Sequence, residues 1–221
     1  MQIAIDGPAG AGKSTIAKLI AKKLGWIYAD TGAMYRAIAL YYIENGIAAE
    51  DADAINEKID DIEVSIEYDE NGQQVILNGR NVNGLIRTEE VSAMTSKVSV
   101  YPKVREKLVK LQRELAASKD VVMDGRDIGT AVLPDAKVKI YLTASVEERA
   151  NRRYKEYIEK GETADLEEIK KDIRERDERD MTREISPLKQ ADDAVVVDSS
   201  FMTIDEVVDA ILKINSEAYG I

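Results

Sequence analysis

Short apolar runs recur along the chain and alternate with longer segments in which apolar residues have helical spacing. The runs are short enough for buried strands and occupy residues 2–5, 26–29, 121–123, 138–142 and 194–197. The first helical segment carries its apolar residues on one face, formed by Ile16, Leu19, Ile20 and Leu24. Buried strands that alternate with helices are typical of parallel sheets covered on both faces. The pattern therefore predicts an α/β fold with a doubly wound parallel sheet.

Residues 62–84 interrupt this alternation with a pattern of period two. Apolar residues alternate with polar ones from Val64, and the dipeptides Asn71-Gly72 and Asn78-Gly79 follow. Such dipeptides are typical of tight turns between antiparallel strands. The segment therefore predicts a small antiparallel insertion beside the parallel sheet.

A second interruption, at residues 149–184, consists almost wholly of charged and polar residues. The sequence Gly161-Glu162-Thr163 divides it and favours a turn. We expect two exposed helices joined by this turn, which together could move as a lid.

Composition narrows the classes of function that this chain can have. Its 221 residues are 44% hydrophobic, enough for one core with small additional lobes. The net charge of −11 makes nonspecific binding to nucleic acid or to an anionic membrane unfavourable. The chain has no cysteine and no histidine, so disulfides, thiolate metal sites and a histidine base are excluded. With no long apolar run and no recognisable secretion signal, we expect a cytoplasmic protein.

The strongest motif follows the first apolar run and has the pattern G-x-x-x-x-G-K-[ST] of a phosphate-binding loop. Backbone N–H groups of such a loop surround the phosphates of a nucleotide, while the lysine adds positive charge. We expect Lys13 to lie on an open loop near the β and γ phosphates, and the Ser14 hydroxyl to ligate Mg²⁺. The expected nucleotide-binding residues are Gly7, Pro8, Ala9, Gly10, Ala11, Gly12, Lys13, Ser14 and Thr15.

Polar residues follow two further apolar runs, where the carboxyl ends of parallel strands form the ligand-binding edge of a sheet. Asp124, after the run 121–123, is placed to hold Mg²⁺ through water, although a helix-capping aspartate is the alternative. Arg36, shortly after the run 26–29, is placed to reach a second phosphate, with Tyr35 packed beside it. The alternative there is an ordinary capped amphipathic helix.

Arginines cluster in the charged segment 149–184. Arg149, Arg152 and Arg153 form one set, and Arg176, Arg179 and Arg183 form another; helical spacing places each set on one helix face. Each set either forms a solvated face neutralised by neighbouring glutamates and aspartates or binds phosphoryl oxygens. The phosphate-binding loop in the same chain favours phosphate binding.

Taken together, these segments resemble the bacterial cytidylate kinase family over nearly the whole chain. The matching segments are Asp6 to Thr15, Asp30-Thr31-Gly32-Ala33-Met34-Tyr35-Arg36, Ile86-Arg87-Thr88-Glu89-Glu90-Val91, Asp124-Gly125-Arg126-Asp127-Ile128-Gly129-Thr130 and Glu175-Arg176-Asp177-Glu178-Arg179-Asp180. The resemblance implies a core of residues 1–30, 101–148 and 185–221. It also implies a monophosphate-binding lobe at 31–100, containing the insertion, and a lid at 149–184.

The resemblance also implies an activity, which is transfer of the ATP γ-phosphoryl group to CMP or dCMP with Mg²⁺. The implied catalytic residues are Lys13, Arg36, Arg126, Arg153 and Arg183, and Arg149 and Arg152 would join Arg153 over the ATP phosphates. The implied acceptor-binding residues are Thr31, Tyr35, Arg36, Ser96, Arg105, Arg126, Asp127, Arg176, Asp180 and Arg183. Of these, Arg36, Arg126 and Arg183 would hold the phosphate, Arg176 and Asp180 the ribose, and Ser96, Arg105 and Asp127 the cytosine. We expect small nucleotides as partners and a monomeric protein.

Two other functions fit parts of the sequence. A kinase of UMP, AMP or an alcohol has the same fold, and an alcohol acceptor would require a carboxylate base such as Asp30 or Asp127. A nucleotide-dependent switch would hydrolyse its nucleotide slowly and signal through the lid. Asp127 itself either reads the cytosine amino group or only holds Arg126 in an ion pair.

Overall fold

The computed structural model of the chain describes residues 1–220 as alternating strands and helices. The strands are β1 (Gln2–Asp6), β2 (Ile27–Asp30), β3 (Val64–Asp69), β4 (Gly72–Leu77), β5 (Arg80–Asn81), β6 (Val121–Gly125), β7 (Val138–Thr143) and β8 (Val195–Asp198). The helices are α1 (Lys13–Leu24), α2 (Thr31–Glu44), α3 (Ala52–Lys58), α4 (Glu89–Val98), α5 (Pro102–Ser118), α6 (Val146–Glu159), α7 (Leu166–Thr182) and α8 (Ile204–Tyr219).

The chain forms two compact units, and the first comprises Met1–Ile27 and the chain from Asp120 onward. Its sheet has the strand order β2-β6-β1-β7-β8. Strand β1 pairs in parallel with β6 on one side and with β7 on the other, and β7 pairs in parallel with β8. The carboxyl end of β1 is therefore a point where the order of neighbouring strands reverses, which is where open α/β sheets bind ligands.

The second unit, Tyr28–Lys119, contains helices α2 to α5 and an antiparallel sheet of order β3-β4-β5. Its core is built around α2, whose Met34, Ile38 and Tyr42 are fully buried. The Tyr42 hydroxyl donates a hydrogen bond to the Ile55 carbonyl at 3.1 Å, which satisfies the one polar atom of that side chain.

The predicted strands and the predicted antiparallel insertion are confirmed, because each apolar run lies in or next to an observed strand. The predicted burial is wrong for β8, because it is an edge strand whose Val195 and Val196 are 45% and 48% exposed. Helix α5 belongs to the second unit. The finer division into core, monophosphate-binding lobe and lid stays a prediction.

The charged segment forms two helices, α6 and α7, with the turn at Gly161 as expected. The expectation that both are exposed is wrong in part, because α6 buries Arg149 and α7 buries Asp177 and Asp180. Arg183 does not share a helix face with Arg176 and Arg179. Helix α7 ends at Thr182, and Arg183 is extended, with φ −60° and ψ 138°.

Candidate active site

The loop between β1 and α1 has a backbone that requires glycine. Gly7 has φ +148°, and a Cβ atom there would lie 1.9 Å from the Leu142 carbonyl oxygen. Gly12, the N-cap of α1, has φ +87° in the left-handed region. The loop therefore packs against β7 and leads into a helix N-terminus, which is a favourable site for an anion.

Lys13 is the first residue of α1, and its side chain folds back over this loop. Its ammonium donates to the Pro8 carbonyl at 2.7 Å, and the residue is only 6% exposed. The expectation of an open position is therefore wrong. Burial, followed by the nearby Arg126 guanidinium, lowers the pKa of Lys13 well below its ordinary value. An anion bound at the loop would stabilise the charged form of this ammonium, which burial disfavours.

Ser14 and Asp124 meet beside the loop. The Ser14 hydroxyl donates to the Asp124 carboxylate at 2.9 Å. Sheet register explains the contact, because Ile5 of β1 lies opposite Asp124 of β6, at the carboxyl ends of both strands. Within residues 1–220, no group of three or more His, Cys, Asp or Glu side chains is arranged to hold a metal ion.

The turn after β6 is fixed by Asp6, a residue that sequence reasoning did not single out. Its two carboxylate oxygens accept hydrogen bonds from the backbone N–H groups of Ile128, at 2.8 Å, and Gly129, at 2.7 Å. These amides lie directly after Asp127, in a π-helical segment at Ile128–Val132. Burial raises the pKa of Asp6 to about 6 despite the two hydrogen bonds. The sequence signals were its position at the end of a buried strand and at the start of the matching segment Asp6 to Thr15, and neither indicated this role.

Two arginines and two aspartates come together on the side of this turn. Arg126 donates to Asp180 at 2.8 Å, and Arg183 lies 3.9 Å from Asp127. The Arg183 Nε also donates to the Ser186 carbonyl at 2.6 Å. Burial alone would raise the pKa of Asp180, but Arg126 and the nearby arginines hold it below its ordinary value. The structure thus brings into one cluster residues that the sequence predicted for the acceptor site. The most distant of them along the chain, Arg126 and Arg183, lie 57 positions apart.

The three arginines of α6 have different surroundings. Arg149 is buried and donates to the Ala144 and Ala9 carbonyls, each at 3.0 Å, and to both oxygens of Asp177. Arg152 donates to the Ser199 carbonyl at 2.8 Å. Exposed Arg153 donates to the Tyr157 hydroxyl at 3.0 Å, with its guanidinium 5.0 Å from the ring centre.

These contacts connect α6 to the phosphate-binding loop, because Ala9 is part of that loop. Sequence reasoning missed Asp177 as the partner of Arg149, since residues 28 positions apart have no local pattern in common. Arg153 is the most exposed of the three arginines of α6.

The second unit carries the remaining predicted residues. Asp30 caps α2 by accepting from the Ala33 N–H at 2.9 Å, and it also accepts from Arg87 at 2.8 Å. Arg105 is buried with its guanidinium 5.7 Å from the Tyr35 ring centre. The other predicted residues of this unit are buried Thr31 and half-buried Arg36 and Ser96. Arg87 is a cation that sequence reasoning did not single out.

The parallel sheet, the loop at its switch point and the buried lysine define a phosphate-loop nucleotide-binding protein. The model of the cytidylate kinase family matches residues 3–217. The cytidylate kinase of Shouchella clausii is 54% identical over 97% of this chain and 96% of its own length. The cytidylate kinase of Carboxydothermus hydrogenoformans is 51% identical over the same two shares. The chain belongs to the cytidylate kinase family and is a nucleoside monophosphate kinase.

A solved structure, that of an uncharacterized protein from Eubacterium ventriosum, has the same fold. It is 14% identical, with a TM-score of 0.50, over 98% of both chains. None of the helices within residues 1–220 is both long and apolar enough to span a lipid bilayer.

Proposed function

We propose that this kinase transfers the γ-phosphoryl group of ATP to CMP and dCMP, giving CDP and dCDP. The observation that carries this proposal is the cluster of Arg126, Asp127, Asp180 and Arg183, which lies in the same compact unit as the phosphate-binding loop. A nucleoside monophosphate requires cations that bind its phosphate and carboxylates that accept hydrogen bonds from its nucleoside. The names of the relatives support cytidylate as this acceptor.

The donor site is the loop from Gly7 to Thr15. Its backbone N–H groups and the Lys13 ammonium would bind the phosphates of ATP, and Arg152 and Arg153 would turn from Ser199 and Tyr157 to reach them. The Ser14 hydroxyl would ligate Mg²⁺ directly and Asp124 would hold it through water, since oxygen ligands and retained waters are what this ion prefers. When bound, the ion would neutralise charge on the β and γ phosphate oxygens.

At the acceptor site, we assign the phosphate to Arg36, Arg126 and Arg183, with Thr31 and Tyr35 beside it. We assign the ribose to Arg176 and Asp180, and the cytosine to Ser96, Arg105 and Asp127. Asp180 is held ionised by its arginine neighbours, so it can accept from ribose hydroxyls at neutral pH.

The chemistry does not require a general base. A phosphate monoester has a second pKa near 6, so its oxygen is already an anion at neutral pH. The main barrier is repulsion between two anions, and fixed guanidinium groups in a closed site reduce it. An alcohol acceptor would need a free carboxylate, whereas Asp30 already accepts from Ala33 and Arg87.

A substrate panel with ATP and Mg²⁺ tests the proposal. ADP formation is measured in a coupled assay with CMP, dCMP, UMP, AMP or glycerol, and with no acceptor. We expect ADP with CMP and dCMP at far higher kcat/KM than with the others. Preference for UMP, AMP or glycerol would contradict the assigned acceptor, and ADP formation independent of any acceptor would favour a switch.

We further propose that the protein is a monomer that acts on small nucleotides in the cytoplasm, with α6 and α7 as its lid. Sedimentation of the purified protein, alone and with ATP and CMP, tests the oligomeric state.

A further inference from the structure

The Asp6 carboxylate links the two loops that the proposed reaction uses. It lies at the end of β1, directly before Gly7 of the phosphate-binding loop. Its two oxygens bond the N–H groups of Ile128 and Gly129, directly after Asp127 of the acceptor side. The residue is 4% exposed, so water does not compete for these bonds.

Only a carboxylate fits this pair of amides. Two successive N–H groups point at the side chain, and both carboxylate oxygens can accept. An asparagine of the same shape has one oxygen and one NH₂ group, so one backbone donor would face another donor. A buried donor without an acceptor is costly, so the turn would shift to find another partner.

The space around Gly129, the second residue whose N–H bonds Asp6, is also closely packed. A Cβ atom on Gly129 would lie 3.4 Å from the Asp6 Oδ2 and 3.2 Å from the Lys139 Cδ. A side chain at Gly129 would therefore crowd the Lys139 stem first and touch the Asp6 carboxylate. The backbone after Asp127 is held between Asp6 and the buried stem of Lys139.

The end of β1, from which Asp6 projects, cannot move easily either. Gly7 already packs so closely against the Leu142 carbonyl that no side chain fits between them. Asp6 therefore projects from a rigid strand end. Burying its charge destabilises the fold, as its raised pKa indicates, with Asp127 adding repulsion and Lys13 attraction. Packing alone would favour an uncharged residue at this place.

We propose that Asp6 is a positioning residue that fixes the backbone of Asp127 and thereby the preference of the enzyme for CMP over UMP. This inference rests on the proposed function, in which Asp127 reads the cytosine. A carboxylate that discriminates between an amino group and a carbonyl must be held within about 0.5 Å, which a rigid supporting contact provides.

The Asp6→Asn variant tests this inference, with Asp177→Asn as the matched control. Asp177 is also a buried aspartate of the same unit, but it bonds an arginine and not the turn. Amide hydrogen exchange at Ile128 and Gly129 is measured together with kcat/KM for CMP and for UMP. We expect Asp6→Asn to speed exchange at both amides and to lower the CMP-to-UMP ratio about 10-fold. Asp177→Asn, whose loss of its arginine pair destabilises the whole unit, should speed exchange at these two amides no more than at the buried amides of β1.

The double variant Asp6→Asn/Asp127→Ala shows whether Asp6 acts through Asp127. If it does, the double variant has the same CMP-to-UMP ratio as Asp127→Ala alone. A further loss in the double variant would overturn the inference. An unchanged ratio in Asp6→Asn, with faster exchange at Ile128 and Gly129, would also overturn it and leave the proposed function intact.

Gly129→Ala approaches the turn from its other side and decides the question if Asp6→Asn does not fold. It retains Asp6 and adds a Cβ atom 3.2 Å from the Lys139 Cδ and 3.4 Å from the Asp6 Oδ2, so we expect the turn to shift by a few tenths of an ångström. The CMP-to-UMP ratio should then fall as in Asp6→Asn; faster exchange at Gly129 with an unchanged ratio would overturn the inference. A wild-type enzyme without preference for CMP would instead contradict the proposed function. Exchange at Ile128 and Gly129 would still report the Asp6 contact.

Discussion

Arg149 and Asp177 form a buried ion pair with two parallel hydrogen bonds of 3.1 and 2.6 Å. The same guanidinium bonds the Ala9 carbonyl of the phosphate-binding loop. Asp177 lies one helical turn from Asp180, which bonds Arg126. Helix α7 therefore connects the phosphate-binding loop and the turn after β6 through two aspartate–arginine pairs. Arg149 is thus held by several buried partners, whereas, within residues 1–220, Arg152 and Arg153 each hydrogen-bond a single residue, Ser199 and Tyr157.

Removing one charge of this pair should destabilise the protein. In Asp177→Asn the Arg149 charge remains buried without its counterion, so we expect a loss of about 3 kcal/mol in the free energy of unfolding. Urea denaturation of the purified variant measures it. The double variant Arg149→Met/Asp177→Leu should recover most of the loss, because neither charge then remains. A loss in Asp177→Asn below about 1 kcal/mol would contradict the pairing.

Lys13→Ala should lose activity without losing the fold. The ammonium would be the nearest fixed charge to the transferred group, so we expect kcat with CMP to fall about 100- to 1000-fold. Burial disfavours the charged ammonium, so its removal does not weaken folding. Circular dichroism and the coupled assay check the two statements. Lys18→Ala, on the exposed side of the same helix, is the control and should keep its turnover. Near-normal turnover of folded Lys13→Ala would show that the donor site is wrongly assigned.

Asp127→Ala should change specificity more than overall rate. Cytosine presents an amino donor at position 4 where uracil presents a carbonyl, so a carboxylate there attracts one base and repels the other. We expect the CMP-to-UMP ratio of kcat/KM to fall about 10- to 100-fold, or about 1.4 to 2.7 kcal/mol. Initial rates with both acceptors measure the ratio. If both efficiencies drop together and the ratio holds, Asp127 acts as a support for its arginine neighbours.

ATP and CMP together should order helices α6 and α7. Arg153 is exposed and rests on Tyr157, so phosphates would offer it a stronger partner. Amide hydrogen exchange over residues 149–184 should slow when a bisubstrate analogue joining the two nucleotides is added. The strand residues of β1, already buried, serve as the internal reference. Equal exchange with and without the analogue would favour a solvated helical face over a lid.

Asp6 should make stability depend on pH in an unusual direction for an aspartate. The pKa of Asp6 is raised to about 6 in the folded protein, against an ordinary value of 3.8 in the unfolded chain. Between pH 3.8 and pH 6, folding is therefore accompanied by uptake of a proton. Stability from this group is therefore present below about pH 4 and is lost as pH rises to about 6, by up to about 3 kcal/mol.

The Asp6→Asn variant lacks this titration. From pH 4 to pH 7 the wild type should therefore lose up to about 3 kcal/mol of unfolding free energy relative to Asp6→Asn. Urea denaturation across this range measures the difference. A constant difference would contradict the raised pKa of Asp6, which burial and the nearby Asp127 raise against the opposing effect of its two backbone hydrogen bonds and of Lys13.

Local patterns determined the elements of this fold and the donor loop. A run of three to five mostly apolar residues favours a strand, and the Asn-Gly dipeptides favour hairpin turns, because both depend mainly on local sequence. The glycines, lysine and serine of the loop act through their own backbone and neighbours, so their positions were evident in the sequence. The cluster of Arg126 with Asp180, and of Arg183 near Asp127, was expected as a set of functional residues but not as these pairs.

Tertiary structure alone decided which charges are buried and which partners they have. Asp6 meets the amides of Ile128 and Gly129 more than 120 positions away, because β1 and β6 lie side by side. The sequence predicted Arg149 as one of three equivalent arginines on an exposed helix, yet in the structure it is buried and forms an ion pair with Asp177. The local sequence around a charged residue is the same whether that residue is buried in an ion pair or exposed to solvent. Its role is fixed by burial and by the distance to its counterion, and both arise only when distant segments pack together.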